Sequence, residues 1–111
     1  MSKAKTIEFE YKDNKYILEY NRESIRIMEK GGFDLQEFLK KPASNIDLAF
    51  QGAFLKNHRK IRASEIEEIF RLIKDKEQLT NTLIEMIQET YESLFETEES
   101  EDGKNIEWKM V

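Results

Sequence analysis

One histidine, no cysteine and an excess of carboxylates are what this chain offers to chemistry. His58 stands in Lys56-Asn-His-Arg-Lys60. A lone imidazole without a second histidine or a thiolate builds neither a catalytic triad nor a zinc cage. It reads as a surface histidine in a connector. Asp13-Asn14 is followed by Lys15 and Tyr16 instead of the spaced oxygen ligands of a calcium loop, so the pair reads as a turn. Glu65, Glu67 and Glu68, and later Glu85, Glu89 and Glu92, would need a concave site that separates their pKa values before two of them could act as acid and base. The glutamates of Ser64-Glu-Ile-Glu-Glu instead suit a helix N-terminus, where the backbone dipole favours negative charge. Gly31-Gly32 has neither the spacing nor the context of a phosphate-binding loop. Nucleophile, base and charge stabiliser are nowhere supplied together. The expectation is a protein that is not an enzyme and uses no cofactor and no metal.

The basic run Lys56, Arg59, Lys60 and Arg62 is the other candidate. Its cations could meet phosphate, and Phe54 could stack on a base. It is short, lacks interleaved aromatics, and sits in a chain of net charge −5, which opposes non-specific binding to nucleic acid or anionic membranes. A solvated connector is the better reading, with a small regulator touching nucleic acid through Lys56 to Arg62 kept as an alternative. The acidic residues 96–105 could pair with a basic partner, but such tails mostly solvate.

These residues must be positioned by a single domain, since 111 residues support one core with little to spare. With 37% of the residues charged, the apolar side chains have to be gathered on defined faces. The absence of cysteine excludes disulfides and fits a reducing compartment. The start MSKAK has no apolar signal run, and no stretch is long and apolar enough for a bilayer span. A cytoplasmic protein without membrane contact is expected.

The spacing predicts an α+β fold: an N-terminal antiparallel β-hairpin followed by four to five α-helices, with room for a short C-terminal strand. Residues 1–95 form the single domain. Residues 96–111 are an acidic flexible tail ending in a candidate docking segment, 106–111. After polar, frayed residues 1–5, Ile7, Phe9 and Tyr11 alternate with Glu8 and Glu10, and Tyr16, Leu18 and Tyr20 alternate with Ile17 and Glu19. Such a hairpin is marginal alone and must pack its aromatic face on the helices. Asn21 is placed as the N-cap of a helix to Lys30, with Ile25 and Met28 inward and Gly31 just past its end. Asp34 and Glu37 have capping-box spacing, and Pro42 stops that short helix. Ser44 or Asn45 then opens a helix carrying Ile46, Ala49, Phe50, Ala53 and Phe54, in which Gly52 marks a close approach of another backbone. Residues 57–62 are a polar connector. Ser64 and Glu67 form the clearest capping box, ahead of Ile66, Ile69, Phe70 and Ile73. Residues 75–77 bend this helix or divide it from the last one, which runs from about Lys76 to Phe95 with Leu79, Leu83, Met86, Ile87, Tyr91 and Leu94 in phase. Ile106, Trp108 and Met110 alternate with Glu107 and Lys109, which suits a short strand or a docking peptide.

The last helix holds the most informative surplus. Ile84 and Phe95 widen its stripe beyond what one small neighbour would bury, and with residues 106–110 they leave apolar surface for an oligomer seam or a partner helix.

The order of elements resembles a known family. The quoted stretches are Thr6-Ile-Glu-Phe-Glu-Tyr, Lys15-Tyr-Ile-Leu-Glu-Tyr and Asn21-Arg-Glu-Ser-Ile-Arg-Ile-Met-Glu-Lys-Gly-Gly-Phe33. Leu48-Ala-Phe-Gln-Gly-Ala-Phe54 and Ser64-Glu-Ile-Glu-Glu-Ile-Phe70 follow. Together, from about Thr6 to Phe95, they look like the small tail assembly chaperones of long-tailed phages and prophages. The likeness is one of pattern and rests on no catalytic motif. It implies a non-enzymatic protein of the bacterial host cytoplasm, absent from the finished virion. It also implies partners: the tape measure protein, a long helical chain, and tail-tube subunits. Many such chaperones also exist in a longer, frameshifted form. Weak contacts suffice where many copies line one client, and methionines adapt to a varying partner sequence. Stripe geometry nominates Phe50, Phe54, Ile84, Met86, Tyr91 and Phe95 as the protein-binding surface, with a homo-oligomer expected. Another phage structural or interaction protein is the remaining alternative.

Overall fold

The computed structural model describes residues 5–111; the expected frayed start lies, apart from Lys5, outside the described residues. The chain is α+β: strands β1 (Ile7–Tyr11) and β2 (Asn14–Leu18), then α1 (Arg22–Lys30), α2 (Leu35–Lys40), α3 (Pro42–Gly52), α4 (Ala63–Leu72) and α5 (Lys76–Ser93). Residues 106–111 form no strand and stand exposed; of the two options their alternation allows, a short strand or a docking peptide, the strand has no ladder to join within its own chain.

The hairpin closes on a two-residue turn, with Tyr11 paired to Asn14 and Ile7 to Leu18. Lys12 (φ 50°) and Asp13 (φ 64°) both take left-handed backbone, the twist that matches flanking strands in a two-residue hairpin. Asn21 caps α1 by accepting from the Ser24 N–H at 2.8 Å, and the Ser24 hydroxyl oxygen accepts the Asn21 N–H at 2.8 Å. This reciprocal box, worth about 1 kcal/mol for its N-cap, uses a serine where glutamate is usual. At the other end Phe33 N–H reaches Met28 C=O at 2.9 Å and Gly32 N–H reaches Glu29 C=O at 3.0 Å. That Schellman closure puts the positive φ of 103° on Gly32, not Gly31.

Pro42 both ends α2 and opens α3. Lys41 before it is extended (φ −134°, ψ 76°), and the proline sits in the first turn, where its missing N–H costs nothing. The expected start at Ser44 or Asn45 is therefore late. Asn45 is buried within α3, and its Oδ1 accepts the Asp34 N–H at 3.2 Å. Asp34 caps α2 through the Glu37 N–H at 3.1 Å. The reciprocal half of that box is taken by Asn45 on the next helix.

Helix α3 is the centre of the molecule, packed against α1, α2, α4 and α5. Gly52 near its end admits the Met28 side chain: a Cβ there would lie 2.5 Å from Met28 Cγ. The close approach is real, but by a side chain instead of a backbone. Ser64 caps nothing, because α4 already begins at Ala63 and its N-cap, Arg62, makes no side-chain bond. Asp75, in left-handed conformation (φ 56°, ψ 55°), divides α4 from α5.

Candidate functional site

The residues between α3 and α4 are more than a solvated connector. Ala53 C=O accepts the Glu19 N–H at 3.1 Å. His58 Nε2 accepts the Ile17 N–H at 3.0 Å, and the Asn57 amide donates to Ile17 C=O at 3.2 Å. The outward backbone groups of β2 are thus satisfied by a strap of chain where a third strand would lie. His58 is half-buried, with its ring 5.0 Å from Tyr16 and 6.3 Å from Phe54, which corrects the reading of a surface histidine. Accepting at Nε2 leaves the neutral ring's proton on Nδ1. The local sequence is polar, and only the arrival of β2 reveals the role.

The same strap disposes of half the basic run. Lys56 pairs with Glu19 at 2.6 Å and Arg59 with Glu23 at 2.9 Å. The Lys56 ammonium and the Asn57 amide hold the Glu19 carboxyl below its ordinary range. Phe54, the proposed stacking ring, is wholly buried. Lys60 and Arg62 remain exposed, too few to make a phosphate-tracking surface.

No group of three or more His, Asp or Glu side chains among the described residues could hold a metal ion. The cleft between the start of α1 and α5 brings Lys5, Arg22 and Glu89 together with Tyr20 and Met86. It holds charges, but neither a nucleophile beside a base nor an array of donors aimed at one point. Lys5 is held by Glu85, with Glu89 at 3.9 Å. Burial pushes the Tyr20 phenol far up from its usual range, and its hydroxyl donates to Ala49 C=O at 2.6 Å, a structural bond. Among the described residues no helix is long and apolar enough to cross a membrane.

The six side chains nominated for binding are not brought together. Phe50 and Phe54 lie in the core, 5.2 Å apart, with Phe70 5.2 Å from Phe50. Met86 is buried on the inner face of α5 with Leu83 and Ile87. Phe50 and Phe54 are withdrawn from the surface because α3 and the turn after it are covered on several sides, and Met86 because α5 packs its inner face on α1 and α3, which a stripe of spacing does not disclose. Ile84 and Tyr91 are half-buried against the core, and the Tyr91 hydroxyl donates to Glu29 at 2.6 Å. Only Phe95 stands out, 86% exposed just past α5. Beside it, Leu94 lines a groove between α1 and the end of α5, together with Arg22, Ile25, Arg26 and Glu29. Leu72 at the end of α4, and Ile106, Trp108 and Met110 in the tail, are exposed apolar residues that the nominated set missed.

No curated protein matches this chain, and no solved structure does. A match does extend over residues 1–111 to the domain of unknown function DUF5055, and the chain belongs to that family.

Proposed function

We propose that this protein works by contact, as a tail assembly chaperone of a long-tailed phage or prophage. In that role it holds the tape measure protein soluble in the host cytoplasm and recruits tail-tube subunits, with no chemistry of its own. The reading is supported by the resemblance in element order from Thr6 to Phe95. The observation that carries it is the bare Phe95 ring, 86% exposed, next in the chain to Leu94, which lines the groove between α1 and the end of α5. An exposed aromatic anchor suits a client helix, and Arg22 and Arg26, which outnumber Glu29 in the neighbouring groove, would favour carboxylates along its edge. An acidic body of net charge −5 keeps such a complex dispersed.

Co-expression tests this directly. A tape-measure segment that pellets alone stays soluble and co-purifies with the chain, and Phe95→Ser reduces recovery at least several-fold while the fold is retained. Mass spectrometry of finished virions finds the chain missing. A segment that pellets equally with and without the protein overturns the reading.

A further inference from the structure

The two edges of the hairpin are treated differently. The pair at the two-residue turn, Tyr11 with Asn14, bonds inward, and the alternation of an antiparallel ladder then turns the backbone groups of Ile7 and Phe9 inward too. Glu8 and Glu10 on β1, like Ile17 on β2, point outward. On β2 those groups are covered by Ala53, Asn57 and His58. On β1 no such strap exists among the described residues, and Glu8 and Glu10 are exposed. Beside this open edge lies a mainly apolar groove lined by Ile7, Phe9, Ile73 and Leu79, with Glu8, Lys74, Asp75, Gln78 and Thr82 completing its walls. The same chain carries an exposed segment of matching period: Ile106, Trp108 (86% exposed) and Met110, with Glu107 and Lys109 between them.

We infer that residues 107–111 of a second copy of this chain add to the open edge of β1 as an antiparallel third strand, Trp108 beside Tyr11 and Met110 beside Phe9, with the exchange reciprocal between the two copies. Charge selects this register. It sets Lys109 against Glu10, and Glu107 beside the turn residue Lys12, which Glu68 already meets at 3.5 Å, while Trp108 and Met110 continue the apolar face over the groove. Moving the segment two residues towards Ile7 opposes Glu107 to Glu10. Moving it two residues the other way opposes Lys109 to Lys12. Like charges directly opposite destabilise a pair, so this is the antiparallel register that opposes Lys109 to Glu10 without setting like charges against each other across the ladder.

The segment stands exposed and off its own β1 edge, which leaves that edge to a second copy. Lys5, leading into β1, pairs with Glu85 and approaches Glu89, so α5 ends beside the beginning of β1. A tail turning straight back from Ser93 would run along β1 in parallel, the weaker pairing. In parallel no register matches both charges: Glu107 meets Glu8 where Lys109 meets Glu10. Two reciprocal insertions form an isologous contact, closed by symmetry. Each Trp108 offers roughly 200 Å² of aromatic surface, which places the pair among small, concentration-dependent interfaces. This contact does not rest on the chaperone reading, and a client assay can fail without touching it.

The cysteine-free chain allows a clean test. Glu10→Cys and Lys109→Cys are made in separate chains, mixed, and oxidised under mild conditions. Each chain then holds a single thiol, so a bond between the two variants can only join two copies. The expected product is a covalent heterodimer, formed at least tenfold faster than with Leu72→Cys replacing Lys109→Cys. Charge reversal supplies the second arm, read as the dimer fraction at sedimentation equilibrium: Lys109→Glu lowers self-association about tenfold, and Lys109→Glu with Glu10→Lys restores it. A mixture that cross-links no faster than the Leu72→Cys control overturns the inference. So does a bond that forms only within a single chain carrying both cysteines, which would assign the edge to the segment's own domain.

Discussion

At the scale of single residues, His58 shows how far a polar side chain's role depends on what folds against it. Its Nε2 is the acceptor for a β2 N–H that would otherwise face the strap unpaired, and its ring fills the corner between Tyr16 and Phe54. Two contributions can be separated by substitution. His58→Phe keeps a ring but removes the acceptor, leaving the Ile17 N–H unsatisfied at a cost of about 1–3 kcal/mol. His58→Ala removes the ring as well and opens a void beside Phe54, adding a packing loss of about 1–2 kcal/mol. Urea unfolding should rank wild type above Phe and Phe above Ala, with the slope unchanged. Nitrogen NMR of the folded protein should show Nε2 unprotonated and Nδ1 carrying the proton. Equal stability of all three proteins would mean that the strap does not depend on this residue.

At the scale of elements, Asp75 is the joint that makes two helices of one polar-apolar pattern. Its left-handed backbone turns the chain after Ile73, so that α4 and α5 both present apolar faces to α3. Asparagine tolerates that conformation and a β-branched residue does not. Asp75→Asn should leave the unfolding midpoint close to wild type, whereas Asp75→Val should lose about 1–2 kcal/mol; equilibrium denaturation distinguishes them. What was legible in the sequence follows the same divide between local and non-local causes. Asn21, the Gly31-Gly32 pair and the Asp13 turn act within a few residues of themselves, and their positions were readable, to within one residue at Gly32. Gly52 announced a close approach without naming Met28, which arrives from another helix. Ser64 carried the right signature in the wrong frame, since α4 begins before it. Asn45 looked like a cap and serves instead to tie α3 to α2. Phe50, Phe54 and Met86 had the right spacing for an apolar face, but spacing says nothing about how many neighbours cover that face. The open β1 edge needed the strap on β2 to be seen first, because it is recognised by contrast.

At the scale of the whole molecule, the fold divides into a packed body and an appended tail. The core residues all lie between Tyr16 and Ile87, and none falls within residues 96–111. The radius of gyration is 16.3 Å, against about 13 Å for a compact chain of this length. The excess comes from the tail standing away from the body, in line with its acidic composition. A chain stopped after Phe95 should therefore unfold at the same denaturant midpoint as the full protein when both are dilute. Its scattering radius should fall to about 12 Å. Raising the concentration then separates the two proteins. The full chain should gain stability with concentration, as an exchange of tails between copies requires by mass action, and the shortened chain should not. A midpoint that drops on shortening, even in dilute solution, would place residues 96–111 against their own domain and remove the open edge from any second copy.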